Sequence, residues 1–243
     1  MSLPRGLLYP QRRPIGFAHR GGKAHRPENT LDAFTHARSL GSTALESDVW
    51  VTADGIPVLD HDGNVRNRWR NRPIDTVLRG DLPPHIPALA DLYATCGTDF
   101  ELSLDVKDDV AAEVTIAVAE QHGAIGRLWL CTPSRRALKR WRERSEGVRL
   151  VDSVPARTFA ADPIGRIRAL APIGIDALNA RHRAWNHELV AAVHDEGKLA
   201  FAWDVQSRTT MARLVDMGID GLFSDHVDRL VQVLSGPRGV RGG

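Results

Sequence analysis

FELSLDVK at residues 100–107 alternates without interruption. Successive side chains of a strand point to opposite faces, so Phe100, Leu102, Leu104 and Val106 share one side while Glu101, Ser103, Asp105 and Lys107 share the other. The apolar side suits packing beneath helices. The polar side then lines an interior, with Asp105 and Lys107 at the C-terminal mouth and Glu101 about 13 Å deeper, at ~3.3 Å per residue. Outward from this strand, short β-prone segments recur at 14–18, 44–49, 127–131, 148–154, 176–180, 199–205 and 221–224. Amphipathic stretches separate them at 29–39, 87–96, 108–122, 134–144, 163–170, 186–196, 207–217 and 226–234. Asn29 and Ser207 are good N-cap residues, and Gly41, Gly123, Gly197 and Gly218 stand where a helix end takes a residue with positive φ.

Strands alternating with helices indicate an α/β fold with parallel strands and crossover helices. Between an open doubly wound sheet and a (β/α)8 TIM barrel, the strand ends decide. His19, Glu46 with Asp48, Asp105 with Lys107, Thr132, Asp152, Asn179, Trp203 with Asp204, and Ser224 with Asp225 all fall there. Barrel active sites gather at that C-terminal rim. The expected organisation is one domain over 1–243, with the barrel at 13–234 and a mobile tail at 236–243. A short irregular insertion follows the second strand within 50–99, where Asp54-Gly55 marks a turn between two β-prone pieces.

At 243 residues, 42% hydrophobic and 26% charged, the chain has the composition of an ordinary globular protein. Its 32 basic and 30 acidic residues leave a formal charge of +2, which argues against a nucleic-acid partner. No apolar run approaches the ~20 residues of a membrane-spanning helix. The opening MSLPRGLLYPQRRPIG lacks a secretory core, so the expectation is a cytoplasmic protein without stable membrane insertion. Cys96 and Cys131, both in apolar settings, read as buried small residues. Nothing in the composition fixes an oligomeric state.

Glu46 and Asp48 in ALESDV project from one side of a strand, and Asp105 can join them at the rim. Carboxylates held together share a proton, meet a basic residue or bind a cation. Lys107, at a strand end beside acidic groups, fits phosphate binding or charge balance as well as a solvated surface. His19 follows the first strand and His61 the apolar run IPVLD, and two histidines can divide the roles of general base and general acid. The other histidines, among them His36, His122, His187 and His194, read as surface or packing residues.

HRGGKAHRPENT at 19–30, followed by ALESDVWVTADGIPVLDHD at 44–62, resembles the glycerophosphodiester phosphodiesterase family. That family shows an HRG segment, a PENT segment, an E-x-D pair, a T-x-D-G-x-P-V segment and an HD pair in this order. The resemblance continues through LDVK and AFAWDVQSRTTMARLVDMGIDGLFSDHVDRL and spans residues 15–231. It implies a (β/α)8 barrel, His19 and His61 as the catalytic pair, and Glu46, Asp48 and Asp105 as metal ligands. Arg20 and Lys107 become phosphate contacts and Glu28 a site-facing residue, although Glu28 also suits the first turn of a helix. Trp203 becomes an apolar wall for glycerol or the alcohol, or a plain core residue.

Three features depart from the family pattern. Asp105 stands where a glutamate is usual, WDVQ at 203–206 replaces the commoner W-T-V-N, and the segment between His61 and Asp105 is short. The implied activity is metal-dependent hydrolysis of glycerophosphodiesters to glycerol 3-phosphate and an alcohol, with Mg2+ or Ca2+ as cofactor because the donors are all oxygen. The alternatives are a phospholipase-like barrel acting on lysophospholipids or sphingolipids, docking through RNRWRNR at 66–72, and a non-catalytic barrel that binds phosphorylated ligands.

Overall fold

The computed structural model describes residues 13–67 and 70–236. In chain order, the first elements are β1 (Ile15–Ala18), α1 (Leu31–Ser39), β2 (Ala44–Val51), β3 (Pro57–Leu59), β4 (Asn64–Asn67), β5 (Arg70–Pro73) and α2 (Leu89–Cys96). There follow β6 (Glu101–Val106), α3 (Asp109–Gln121), β7 (Leu128–Thr132), α4 (Arg135–Arg144), β8 (Arg149–Ser153), α5 (Ala156–Ala161), α6 (Pro163–Arg168) and α7 (Leu170–Ile173). The last are β9 (Ala177–Arg181), α8 (His187–Asp195), β10 (Leu199–Trp203), α9 (Arg208–Met217), β11 (Gly221–Ser224) and α10 (Val227–Ser235).

Strands β1, β2, β6, β7, β8, β9, β10 and β11 pair in parallel in that order, and β11 returns to β1, so the sheet closes as an eight-stranded barrel with helices outside. Each strand matches a β-prone segment of the sequence. The insertion contains two hairpins: β3 pairs antiparallel with the end of β2 across the Asp54-Gly55 turn, and β4 pairs with β5. Within RNRWRNR, Arg68 and Trp69 lie outside the described residues, as do 1–12 and residues 237–243 of the expected tail.

Two helix expectations need correction. The first helix starts at Leu31 rather than at 29, and its cap is Thr30, whose Oγ1 accepts from Ala33 N at 3.1 Å, not Asn29. The helix expected over 163–170 ends at Arg168 as α6, and an unexpected short helix flanks it on each side, α5 before and α7 after. Asp162, held out of the helical region (φ −154°, ψ 76°) before Pro163, breaks the chain there and caps the next turn through Gly165 N.

Each barrel strand has an outer and an inner face. Phe100, Leu102 and Leu104 of the FELSLDVK segment sit in the buried layer between sheet and helices, as its alternation requires. Inside, Phe17, Trp129, Phe201 and Phe223 form an aromatic plug, with the Phe17 and Phe223 rings stacked 4.5 Å apart. Trp129 Nε1 donates to Glu101 Oε2 at 2.6 Å, which fixes Glu101 among the plug residues and away from the carboxylates above. The plug fills one half of the barrel and leaves the other to polar groups. Phe17→Ala is expected to cost about 3–5 kcal/mol, the scale for emptying a large buried ring site, read as a lower denaturant midpoint.

Outside the barrel, His194 of α8 lies 2.8 Å from Asp220 Oδ2, which also accepts from Ala200 N and so ties α8 to the start of two strands. The Asp220 hydrogen bond raises the His194 pKa against partial burial. Stabilisation from the charged pair is therefore complete below the unfolded histidine value near 6.5 and fades as pH rises through the higher folded value. His194→Gln is expected to lower stability more at pH 6 than at pH 9, by under about 1 kcal/mol because the pair is partly solvated. Thermal melts at the two pH values check this.

Candidate active site

After β1 the chain makes one tight turn, His19–Gly21, in which Arg20 adopts a left-handed conformation at φ 51°. This aims the Arg20 N–H at Glu46 Oε2, 2.8 Å away, so backbone strain is spent at the site itself. Gly21 (φ +76°) and Gly22 (φ +84°) let the loop pass close to α1 and α10. A Cβ at Gly21 would lie 2.8 Å from that of Ala33, and one at Gly22 2.4 Å from Val227 Cγ2. The sequence HRGG thus encodes a turn no bulkier pair could make.

Pairing of β2 with β6 sets Asp48 directly beside Asp105, one pleat above Glu46 and Ser103. Glu46, Asp48 and Asp105 each offer an oxygen within 4.8 Å of the others, so the shorter side chain of Asp105 still joins the cluster. Glu46 and Asp48 are almost fully buried. Burial, with Asp48 and Asp105 nearby, pushes the Glu46 carboxyl up to about 8 even though His19 opposes the shift. Burial likewise raises Asp105 against the pull of Lys107.

Cations surround this cluster. Lys107 Nζ lies 2.8 Å from Asp48 Oδ1 and 3.6 Å from Asp105 Oδ2, and these carboxylates outweigh burial to keep the amine charged. Arg20 Nη1 donates to both oxygens of Glu28 at 3.0 Å, and its Nε lies 3.5 Å from Asp48. That Nε is buried and makes no hydrogen bond. Glu28 precedes α1, so it is a partner of Arg20 and not a first-turn residue.

His19 stands with Nδ1 2.5 Å from Asp225 Oδ1 and Nε2 3.8 Å from Glu46 Oε2. Burial depresses its pKa, but Glu46 and Asp225 together outweigh it and the net direction is upward. A cavity of about 470 Å³ opens above, lined in part by His19, Arg20, Glu46, Asp105, Asn179 and Trp203. Its Asn179 Oδ1 is buried without a hydrogen-bond donor. Trp203 is therefore a wall residue of the cavity, with the Arg181 guanidinium 5.6 Å from its ring centre. Asp204, the added carboxylate of WDVQ, is held by Arg181 at 2.7 Å.

His61, like Asp48, Glu28 and Lys107, is not among the residues that line the cavity, and its Nδ1 lies 2.8 Å from Asp62 Oδ1. It follows Asp60, whose N–H donates to Asp48 O at 3.2 Å, which places it on the same rim. Two residues acquire roles the sequence reading did not give them. Asp225 orients His19, a position fixed by Ser224 pairing with Ala18 as the barrel closes. Asn29, buried at φ 56°, accepts from Ser47 Oγ at 2.7 Å and points its amide nitrogen toward Asp48 at 3.5 Å.

The sequence pattern of the Glycerophosphoryl diester phosphodiesterase family matches residues 19–83 and 97–229. A protein of Mycobacterium tuberculosis named probable glycerophosphodiester phosphodiesterase 2 is 28% identical over 90% of this chain and 90% of its own length. Human glycerophosphodiester phosphodiesterase 1 is 36% identical over 42% of this chain and 36% of its own length. Among solved structures, the Thermotoga maritima glycerophosphodiester phosphodiesterase aligns at a TM-score of 0.80, with 19% identity, over 92% of this chain and 99% of that one. An Oleispira antarctica phosphodiesterase in complex with the product sn-glycerol-3-phosphate aligns at 0.80 with 21% identity, covering 92% and 98%. With its histidine turn, its carboxylate rim and seven of the eight barrel strands inside the matched residues, the chain belongs to the glycerophosphoryl diester phosphodiesterase family.

Proposed function

We propose that this chain is a divalent-metal-dependent glycerophosphodiester phosphodiesterase that releases glycerol 3-phosphate and an alcohol. The observation that carries the reading is the meeting of three buried or half-buried carboxylates, two of which line one cavity together with His19 and Arg20. An all-oxygen donor set fits Mg2+ or Ca2+, and the three carboxylates lie close enough together to share one ion. Glu46, Asp48 and Asp105 would hold the ion, whose chemistry is Lewis-acid neutralisation of the non-bridging phosphate oxygens.

The remaining roles belong to the chain's own groups. The buried Arg20 Nε, without a hydrogen-bond acceptor, supplies a donor for a phosphate oxygen, and Lys107 adds a second positive charge at the same rim. Asp225 holds His19 Nδ1, so Nε2 is the nitrogen that loads or releases a proton toward the phosphate. His61 is the second proton carrier, acting from the insertion side. Asn179 Oδ1 accepts from a substrate hydroxyl, and Trp203 offers the apolar wall. Among the described residues no helix is long and apolar enough to cross a membrane. The two unpaired cysteines, Cys131 buried and Cys96 only half-buried, suit the cytoplasmic location suggested by the sequence.

The test is a substrate panel. Glycerophosphocholine, glycerophosphoethanolamine and glycerophosphoglycerol are expected to yield glycerol 3-phosphate at comparable rates, because the phosphate and glycerol contacts are the defined ones. Lysophospholipid and sphingomyelin vesicles are expected to turn over poorly. Faster cleavage of the vesicles would assign the chain to phospholipase chemistry, and ligand binding without turnover of any diester would make it a binding protein.

A further inference from the structure

The barrel's closing seam carries a second cluster of metal-ligating side chains that shares no residue with the acidic one. His25 follows the HRGG turn, while His226 and Asp228 open α10. Each offers a ligand atom, and the three lie within 4.8 Å of one another. His25 Nε2 is already 3.0 Å from Asp228 Oδ1, although the two residues are 203 positions apart in the chain. The imidazoles of His25 and His226 meet edge to face at 6.2 Å, and His36 from α1 brings a third ring within 5.8 Å of His25.

We propose that His25, His226 and Asp228 form a second metal site that takes a borderline divalent ion of the Zn2+ type. Two imidazoles and one carboxylate match the preferences of Zn2+ and Co2+ and are poor competitors for Mg2+ or Ca2+, which take oxygen ligands. Three protein donors leave a fourth position for water. Bonds of about 2.0–2.1 Å place tetrahedral ligands roughly 3.4 Å apart, a separation bracketed by the 3.0 Å of the His25–Asp228 pair and the 4.8 Å limit of the cluster, so side-chain rotation suffices. Half-exposed rings and an exposed Asp228 provide the entry path. The partial positive charge at the start of α10 opposes a cation, and the Asp228 carboxylate in the same first turn offsets it.

The ion would cross-link two segments that the catalytic geometry depends on. His25 N donates to Gly22 O within the turn that carries His19 and Arg20, and Ala24 N donates to Asp225 O beside His226. Occupancy therefore pins the His19 loop to the element that supplies Asp225. The expected consequence is a rise in Tm and one added equivalent of bound ion.

Co2+ titrated into the full chain in millimolar Mg2+ tests this, read by visible absorption and by the melting temperature. One equivalent of Co2+ is expected to bind with both signals, and His25→Gln and His226→Gln are each expected to weaken it at least about tenfold. That is the lower scale for disturbing even an outer-sphere partner. The double variant Glu46→Gln, Asp48→Asn is expected to keep this equivalent while losing diesterase activity, which separates the second site from the proposed function. Should a histidine variant misfold by circular dichroism, paramagnetic broadening of the His25 and His226 ring signals in the unaltered chain gives the same answer. No Co2+ bound in excess Mg2+, binding unchanged in both histidine variants, or binding lost only in the acidic double variant overturns the site.

Discussion

Chelation of divalent ions is expected to abolish turnover of glycerophosphocholine, and Mg2+ or Ca2+ to restore it. The reason lies in the electrostatics of the rim. Glu46, Asp48 and Asp105 converge within 4.8 Å where an anionic phosphodiester must approach, with Lys107 and Arg20 beside Asp48 and the His19 ring 3.8 Å from Glu46. A cation held by these oxygens adds positive charge where the phosphate must lie. Such an ion would add several kcal/mol of charge stabilisation in the transition state, which at 1.36 kcal/mol per decade is a loss of roughly 10³ or more on its removal. Protein shown to be metal-free by elemental analysis yet fully active would overturn the assignment. Asp105→Glu separates two explanations of the short side chain. A gain in metal affinity means the missing methylene weakened the site, and an unchanged affinity means the β2–β6 register already compensates.

The barrel was legible because its evidence is local. Strict alternation in residues 100–107 assigns inner and outer faces, and Leu102, Leu104 and Ser103 lie where that assignment puts them. The carboxylates were legible for the same reason: Glu46 and Asp48 are two apart on one strand, and Asp105 ends the neighbouring one. What the local pattern cannot carry is closure. His19 and Asp225 are 206 positions apart and meet because β11 returns to β1, so the partner of the histidine is defined by topology. Once a closed barrel is assumed, a carboxylate just after the eighth strand must sit beside whatever follows the first, and that signal was present in SDH at 224–226.

Asn29 departs from its expected capping role for a different reason. Asparagine is among the best N-caps, but the same side chain also tolerates the left-handed region, and here φ 56° turns it inward to Ser47 and Asp48 while Thr30 takes the cap. Propensity ranks both uses alike, and tertiary hydrogen bonds select between them. The region 156–173 shows the complementary case: Asp162 and Pro163 start α6 where the sequence places a helix start, while the short α5 and α7 on either side are too brief for periodicity to register.

His19→Ala is expected to lower kcat by roughly 10² to 10⁴ with folding intact, the range for a positioned acid or base. The turn around it is fixed by backbone contacts of Arg20, Gly21 and Gly22, so loss of the ring leaves the loop in place. Asp225→Asn then divides chemistry from positioning. An amide in place of the carboxylate still reaches Nδ1 but no longer balances a positive ring, so kcat is expected to fall less than in His19→Ala while KM stays nearly constant. His61→Ala is expected to cost roughly 10² or more as well, and it is the sharper test, because His61 stands off the cavity and is paired with Asp62. If His61→Ala keeps near-normal turnover in saturating Mg2+ while His19→Ala does not, proton transfer runs through His19 alone and the leaving alcohol takes its proton from water.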